Sequence, residues 1–201
     1  MNHVARAVPA LLGLLLAGCS PDQAATSATA EPPLAGARMG GAFNLTDQDG
    51  RAVTDRSFPG KWRVMYFGYT FCPDVCPVDA QKIGAGLRAF EARDAVAGAK
   101  VVPVFVTVDP ERDTPVVLKQ FVANFHPRMV GLTGNPQAIA AVAKAYGTYY
   151  HKGEPTPDGG GYMMDHSRQA VLFDPQGRPI AILPLEKEPA DIAAELARWV
   201  R

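Results

Sequence analysis

The sequence predicts an α/β fold in which helices cover both faces of a central sheet. Residues 63–69 and 101–108 are almost entirely apolar, which is typical of strands that are buried on both faces. Each is followed by a segment with apolar residues at helical spacing. The chain has 201 residues, a length that suits one domain with appendages and that can bury a core without disulfide bonds.

The order of the elements predicts a thioredoxin-like fold with an N-terminal β-hairpin and a helix/strand insertion. The hairpin pairs residues 43–46 with 51–54 across the turn sequence Asp-Gln-Asp-Gly. Thr114 and Pro115 are suited to the cap and first position of a helix. We interpret residues 152–161, which are rich in Gly and Pro, as a loop. The remaining predicted elements are strands at 63–69, 101–108, 129–132, 169–173 and 179–183, and helices after Pro77, around 139–146 and around 192–200.

Residues 1–18 are expected to be a signal peptide, because their apolar run follows a weakly basic start and is too short to span a membrane. The run ends at Leu-Ala-Gly followed by Cys19, which resembles a bacterial lipoprotein signal. We therefore expect an exported, periplasmic lipoprotein that is anchored to a membrane through lipid on Cys19. The alternative is an ordinary signal peptide with a chance cysteine. Residues 19–39 are predicted to be a flexible tether, and residues 40–201 the folded domain.

The charged residues balance, with 20 Lys and Arg against 20 Asp and Glu. Such a balance gives no support to nucleic acid or an anionic membrane surface as a partner. We therefore expect no nucleic-acid partner, and contact with the membrane through the lipid anchor.

Cys72 and Cys76 lie in the sequence Gly-Tyr-Thr-Phe-Cys-Pro-Asp-Val-Cys-Pro, directly after the first buried strand. A helix that begins here places Cys72 just before it and Cys76 in its first turn, where the helix N-terminus favours thiolates over thiols. The carboxylate of Asp74 opposes this effect. With Cys19 assigned to lipid, these are the only two cysteines of the domain. In an oxidising compartment they form a disulfide unless they are reduced or hold a metal.

His166 precedes the strand predicted at residues 169–173. In a thioredoxin-like fold, the start of this strand lies beside the loop that carries Cys72 and Cys76, here called the cysteine loop. Two thiolates suit Cu(I), and an added imidazole gives a set that also accepts Cu(II). Thioredoxin-like redox proteins usually place a cis-proline at this junction, but residues 158–174 contain no proline. We therefore interpret His166 as a third ligand, in preference to a partly buried histidine without a function.

Other polar residues have less specific patterns. Asp109 has two equally supported interpretations: a loop residue after the second buried strand, or a group at that strand's carboxyl end that tunes the thiolates or meets a partner. We expect His126 and His151 to face solvent.

Four segments together resemble the Sco/SenC family of copper-binding, thioredoxin-fold proteins. They are residues 68–77, 106–115, 130–134 and Asp165-His166-Ser167. The resemblance implies copper bound by Cys72, Cys76 and His166, and a role in assembling the CuA centre of cytochrome c oxidase. The implied partners are the CuA-bearing subunit, other periplasmic copper carriers and thiol reductants. One departure is the anchor, since many relatives use a transmembrane helix.

The leading hypothesis is a metallochaperone that delivers copper, Cu(I) or Cu(II), to the oxidase. The alternative is a thiol–disulfide oxidoreductase that keeps the CuA cysteines reduced, with Cys72 as the attacking and Cys76 as the resolving thiol. Whether the protein is an enzyme depends on which of the two is correct. A peroxidase of the peroxiredoxin kind is disfavoured, because Thr70 is one residue too close to Cys72 for the Thr-x-x-Cys pattern of those enzymes.

Overall fold

A seven-stranded mixed sheet forms the centre of this computed structural model, which describes Met1 and residues 30–155 and 161–201. The strands of the described residues are β1 (Asn44–Asp47), β2 (Ala52–Thr54), β3 (Trp62–Gly68), β4 (Val101–Thr107), β5 (Val130–Thr133), β6 (Tyr150–Pro155), β7 (Tyr162–His166), β8 (Ala170–Phe173) and β9 (Pro179–Leu183). The helices are α1 (Val75–Arg93), α2 (Ala95–Gly98), α3 (Pro115–Val122), α4 (Pro136–Ala145) and α5 (Pro189–Trp199).

The main sheet has the strand order β2-β1-β5-β4-β3-β8-β9, and β6 and β7 form a separate two-stranded sheet. Strands β3, β4 and β5 are parallel, whereas β8 runs antiparallel to β3 and β1 antiparallel to β5. The two crossovers β3–α1–β4 and β4–α3–β5 step across the sheet in the same direction. Because such crossovers are right-handed, α1 and α3 lie on the same face.

Both faces of β3 are buried, as its apolar sequence predicts. Val64 and Tyr66 pack with Ile83 of α1 on one face. On the other face, Phe67 packs at a ring-centroid distance of 6.0 Å from Tyr146, which follows α4. The carboxyl end of β3 is therefore held rigidly between two layers, and this end leads into the cysteine loop.

The fold class predicted from the sequence is confirmed, including the N-terminal hairpin of β1 and β2. Thr114 caps α3, with its Oγ1 accepting from the N–H of Val117 at 3.4 Å. The loop predicted at residues 152–161 is wrong in part, because residues up to Pro155 belong to β6 and pair with β7. Most side chains of β6 are exposed, so the strand carries no alternating apolar pattern that would have predicted it. Residues 156–160 lie outside the described residues.

Residues 31–201 form one compact unit. This unit includes Leu34, which lies in the segment assigned to the tether and donates its N–H to the carbonyl of Ile180 at 3.1 Å. Cys19 and the predicted signal peptide lie outside the described residues, apart from Met1. Among the helices that the structure describes, none is both long and apolar enough to cross a membrane.

Candidate functional site: two thiols and an imidazole

Cys72 and Cys76 lie where β3 ends and α1 begins. Helix α1 starts at Val75, so Cys72 precedes it and Cys76 occupies its first turn, as predicted. Both are free thiols, and the backbone N–H of Cys76 donates to Cys72 Sγ at 3.5 Å. The last residue of β3 must be small for this arrangement, because a Cβ added at Gly68 would lie 3.2 Å from Cys76 Sγ.

The two thiols have different electrostatic surroundings. Burial raises the pKa of the Cys76 thiol far above its ordinary value, and the residue is 0% exposed. Burial also opposes ionisation of Cys72, but the backbone N–H groups of Cys76 and Asp74 donate to its sulfur and the balance lowers its pKa. The backbone N–H of Asp74 therefore favours the Cys72 thiolate. The sequence had indicated only the opposite effect, from the Asp74 carboxylate.

His166 ends β7 and meets the buried thiol. Its Nε2 lies 3.2 Å from Cys76 Sγ, and its Nδ1 lies 3.1 Å from the carbonyl of Ser167. Because a carbonyl only accepts, Nδ1 carries the proton and the lone pair of Nε2 faces the sulfur. Burial lowers the pKa of His166, which favours this neutral form. The rings of Tyr66 and Tyr69 stand edge-on to the imidazole at 6.3 and 6.0 Å and hold it in place.

The donor atoms suit a soft metal ion. A thiolate and an imidazole nitrogen on one tetrahedral ion, at about 2.3 and about 2.0 Å, lie about 3.5 Å apart, close to the observed separation between Cys76 and His166. Within residues 30–155 and 161–201, however, no three His, Cys, Asp or Glu side chains are already gathered as a metal-binding group. Binding of one ion by Cys72, Cys76 and His166 together therefore requires a local movement.

A buried carboxylate that the sequence analysis missed holds the site together. Asp79 is 0% exposed and lies one turn after Cys76 in α1. It accepts two hydrogen bonds from Arg168, at 2.7 and 2.6 Å, and one from the Tyr66 hydroxyl at 3.0 Å. The signal was present in the sequence, since an aspartate on the apolar face of a predicted helix needs a partner.

A second buried carboxylate positions the start of the cysteine loop. Asp113 accepts hydrogen bonds from the N–H and hydroxyl of Thr70, at 3.0 and 2.6 Å, and from the hydroxyl of Thr107 at 2.6 Å. Thr107 ends β4, so this carboxylate ties the loop to the neighbouring strand. Burial raises the pKa of Asp113 in spite of these hydrogen bonds.

Asp109 lies at the carboxyl end of β4, but its contacts are with the β6–β7 hairpin and with Arg112. It forms an ion pair with Arg112 and accepts from the Tyr162 hydroxyl at 2.7 Å. The Arg112 guanidinium lies 3.7 Å from the centroid of the Tyr162 ring and 5.0 Å from that of Phe71. Arg112 thereby links the cysteine loop to the hairpin that carries His166, and Asp109 supports the site indirectly.

A cleft of about 250 Å³ opens beside Cys72 and His166. Met163 lines it and is 44% exposed, and Phe71, in the cysteine loop, is 52% exposed. The site therefore has an accessible and partly apolar rim, which is a common property of surfaces that contact another protein.

The other two histidines of the domain do not line this cleft. His151 is exposed on β6, as expected. The expectation for His126 is wrong, because it is 3% exposed and its Nε2 lies 3.4 Å from a carboxylate oxygen of Glu91.

These features define a thioredoxin-like α/β protein with a dithiol and an imidazole at one site. The family model described as SCO1/SenC matches residues 31–201. The chain belongs to the SCO1/SenC family.

Individual relatives agree with this assignment. Protein SCO1 homolog 1, mitochondrial, of Arabidopsis thaliana is 43% identical over 150 residues, which cover 74% of this chain and 43% of that protein. Protein SenC of Rhodobacter capsulatus is 43% identical over 145 residues, covering 71% and 62% respectively. The chain thus spans about half the length of these relatives. The structure of Bradyrhizobium japonicum ScoI with copper bound is 44% identical, with a TM-score of 0.72, and the match covers 81% of this chain and 99% of that one.

Proposed function

We propose that the protein binds one copper ion through Cys72, Cys76 and His166 and delivers it to the CuA-bearing subunit of cytochrome c oxidase. The observation that carries the proposal is the 3.2 Å separation between Cys76 Sγ and His166 Nε2, with the Nε2 lone pair directed at the sulfur. A thiolate pair with one imidazole suits both copper oxidation states. The copper in the B. japonicum ScoI structure supports the same cargo.

Delivery proceeds by ligand exchange. When copper binds, each thiol loses its proton to solvent and its sulfur bonds to the ion. Donor groups of the partner then replace these ligands one at a time, and no electron is transferred. Cys72 is the first to bind and the first to be replaced, because its pKa is lowered and it lies beside the open cleft.

Copper titration of the reduced protein tests this proposal. The wild type should bind one ion and, with Cu(II), show thiolate-to-copper absorption. His166→Ala and Cys76→Ser should each lose that absorption and weaken Cu(I) binding at least tenfold in chelator competition. His151→Ala is the matched control, because this histidine is exposed on the same hairpin. Unchanged binding in both site variants would overturn the proposal.

The unequal thiols support a second candidate, a thiol–disulfide oxidoreductase. The Cys72 thiolate would attack a partner's disulfide, and Cys76 would then displace the partner's second thiolate. The protein's dithiol becomes a disulfide while the partner's disulfide becomes a dithiol, so two electrons and two protons pass to the partner. Full oxidase activity in cells carrying His166→Ala, together with its loss in Cys72→Ser, would favour this function over copper delivery.

The proposal includes export to the periplasm and anchoring through lipid on Cys19. The small residues before Cys19 and the short apolar run of the leader support it. Radiolabelled palmitate should label the wild type and the control Cys72→Ser, but not Cys19→Ser. Labelling of Cys19→Ser, or absence of label from the wild type, would contradict the anchor.

A further inference from the structure

A cavity of about 280 Å³ lies at the opposite end of β3 from the cysteines. Arg63, the second residue of β3, lines it, whereas Gly68 at the other end of the strand contacts Cys76. Five residues of extended chain separate the two by about 16 Å. The cavity is therefore distinct from the thiol–imidazole site.

Arg63 is a buried cation whose charge is not paired with a carboxylate among the described residues. It is 4% exposed, and among the described residues it forms no ion pair. Its Nη1 makes a long hydrogen bond of 3.4 Å to the backbone carbonyl of Asp55, and its Nε has no partner among the described residues. A guanidinium has five N–H donors, and burying its charge without a paired anion is costly.

The surroundings of Arg63 leave space for such an anion. A Cβ added at Gly177 would lie 3.1 Å from Arg63 Nη2, so the missing side chain keeps this face of the guanidinium open. Arg56 and Asp55 also line the cavity, and together with Arg63 they give a net charge of +1. The Phe58 ring, whose centroid is 5.9 Å from Arg63 Cζ, forms an apolar wall.

We propose that this cavity binds a small oxyanion, a carboxylate or a phosphate group, through Arg63. The planar guanidinium matches the geometry of either group by two parallel N–H···O bonds. The bound anion supplies the negative charge that would pair with the Arg63 guanidinium. Binding is independent of copper, since the two sites lie at opposite ends of β3.

Thermal unfolding of the full-length protein tests the proposal, with inorganic phosphate and succinate as separate ligands and sodium chloride at matched ionic strength. At about one hundred times the dissociation constant, the binding anion should raise Tm by about 5–10 °C, and the chloride control should not. Comparing phosphate with succinate identifies the favoured group. Failure of both to raise Tm above the chloride control would overturn the proposal.

Two variants assign the effect to Arg63. Arg63→Gln should weaken anion binding at least tenfold in calorimetric titration, whereas Arg93→Gln, an exposed arginine of α1, should not. Ala42→Glu introduces a carboxylate at an exposed position of the cavity lining. It should raise Tm without added anion and abolish the anion response. Unchanged anion binding in Ala42→Glu would contradict the proposal even if Arg63→Gln did not fold.

Discussion

Arg168 donates two hydrogen bonds, at 2.7 and 2.6 Å, to the fully buried carboxylate of Asp79. Arg168 follows His166 by two residues, and Asp79 lies one turn after Cys76 in α1. The separation between the imidazole and the buried thiol is therefore maintained by an ion pair outside the proposed ligand set.

Replacement of Arg168 by Met should destabilise the protein by about 2–3 kcal/mol, because it leaves a buried carboxylate without its cation. The same variant should weaken copper binding by loosening His166. Urea denaturation measures the first effect and chelator competition the second. Arg93→Met is the matched control. The double variant Asp79→Leu/Arg168→Met should recover part of the lost stability, and a loss equal to the sum of the single variants would show that the two side chains are not coupled.

Iodoacetamide should modify Cys72 at least ten times faster than Cys76 at pH 7. Cys72 is 8% exposed with a lowered pKa, whereas Cys76 is fully buried with a raised one, and the thiolate is the reactive form. The rates are compared in Cys19→Ser protein that also carries either Cys76→Ser or Cys72→Ser, so that each sample has one thiol. Unfolding in urea should make the two rates similar, and equal rates in the folded proteins would contradict the assigned asymmetry.

The contribution of Asp113 to stability should fall as the pH rises. Its folded-state pKa is raised by burial, so the folded protein binds the proton more tightly than the unfolded chain does. The stabilisation is fully present below the unfolded value of about 4 and is lost between that pH and the raised folded value. Urea titrations from pH 3.5 to 7 should show wild type losing stability relative to Asp113→Asn across this window. The opposite slope would mean that the hydrogen bonds from Thr70 and Thr107 outweigh burial.

Removal of the Asp113 side chain should destabilise the protein more than deprotonation of this side chain does. Asp113→Ala leaves the Thr70 N–H and the hydroxyls of Thr70 and Thr107 without their acceptor, at a cost of about 2–4 kcal/mol. The cysteine loop should also become more mobile, which faster amide exchange in residues 68–77 would report. Thr114→Ala, which removes a helix cap in the same segment, serves as a comparison with an expected loss of about 1 kcal/mol.

Arg112→Lys should loosen the β6–β7 hairpin. A lysine retains the charge beside Asp109 but loses the planar contact with the Tyr162 and Phe71 rings, at a cost of about 1 kcal/mol. Hydrogen exchange should be several times faster in β7, whereas the main sheet should be unaffected. Lys152→Met removes the exposed cation that also lies over Tyr162, and we expect it to have little effect.

Much of the fold could be predicted because its signals are local. The apolar sequences of β3 and β4, the Thr114–Pro115 helix start and the spacing of Cys72 and Cys76 each depend on a few neighbouring residues. The β6–β7 hairpin could not be predicted in this way, because its exposed strands carry no apolar periodicity. Its position also decides where His166 lies.

The sequence by itself determined the α/β class, the junction at which Cys72 and Cys76 lie, and His166 as the candidate third ligand. Only the tertiary structure decided that His166 Nε2 meets Cys76, 90 residues away, and that Asp79 pairs with Arg168 across 89 residues. The tertiary structure also decided that burial raises the pKa of Cys76, whereas backbone N–H groups lower the pKa of Cys72. Contacts between distant segments and the burial of individual atoms arise only when the sheet and its helices pack together, so local residue patterns do not encode them.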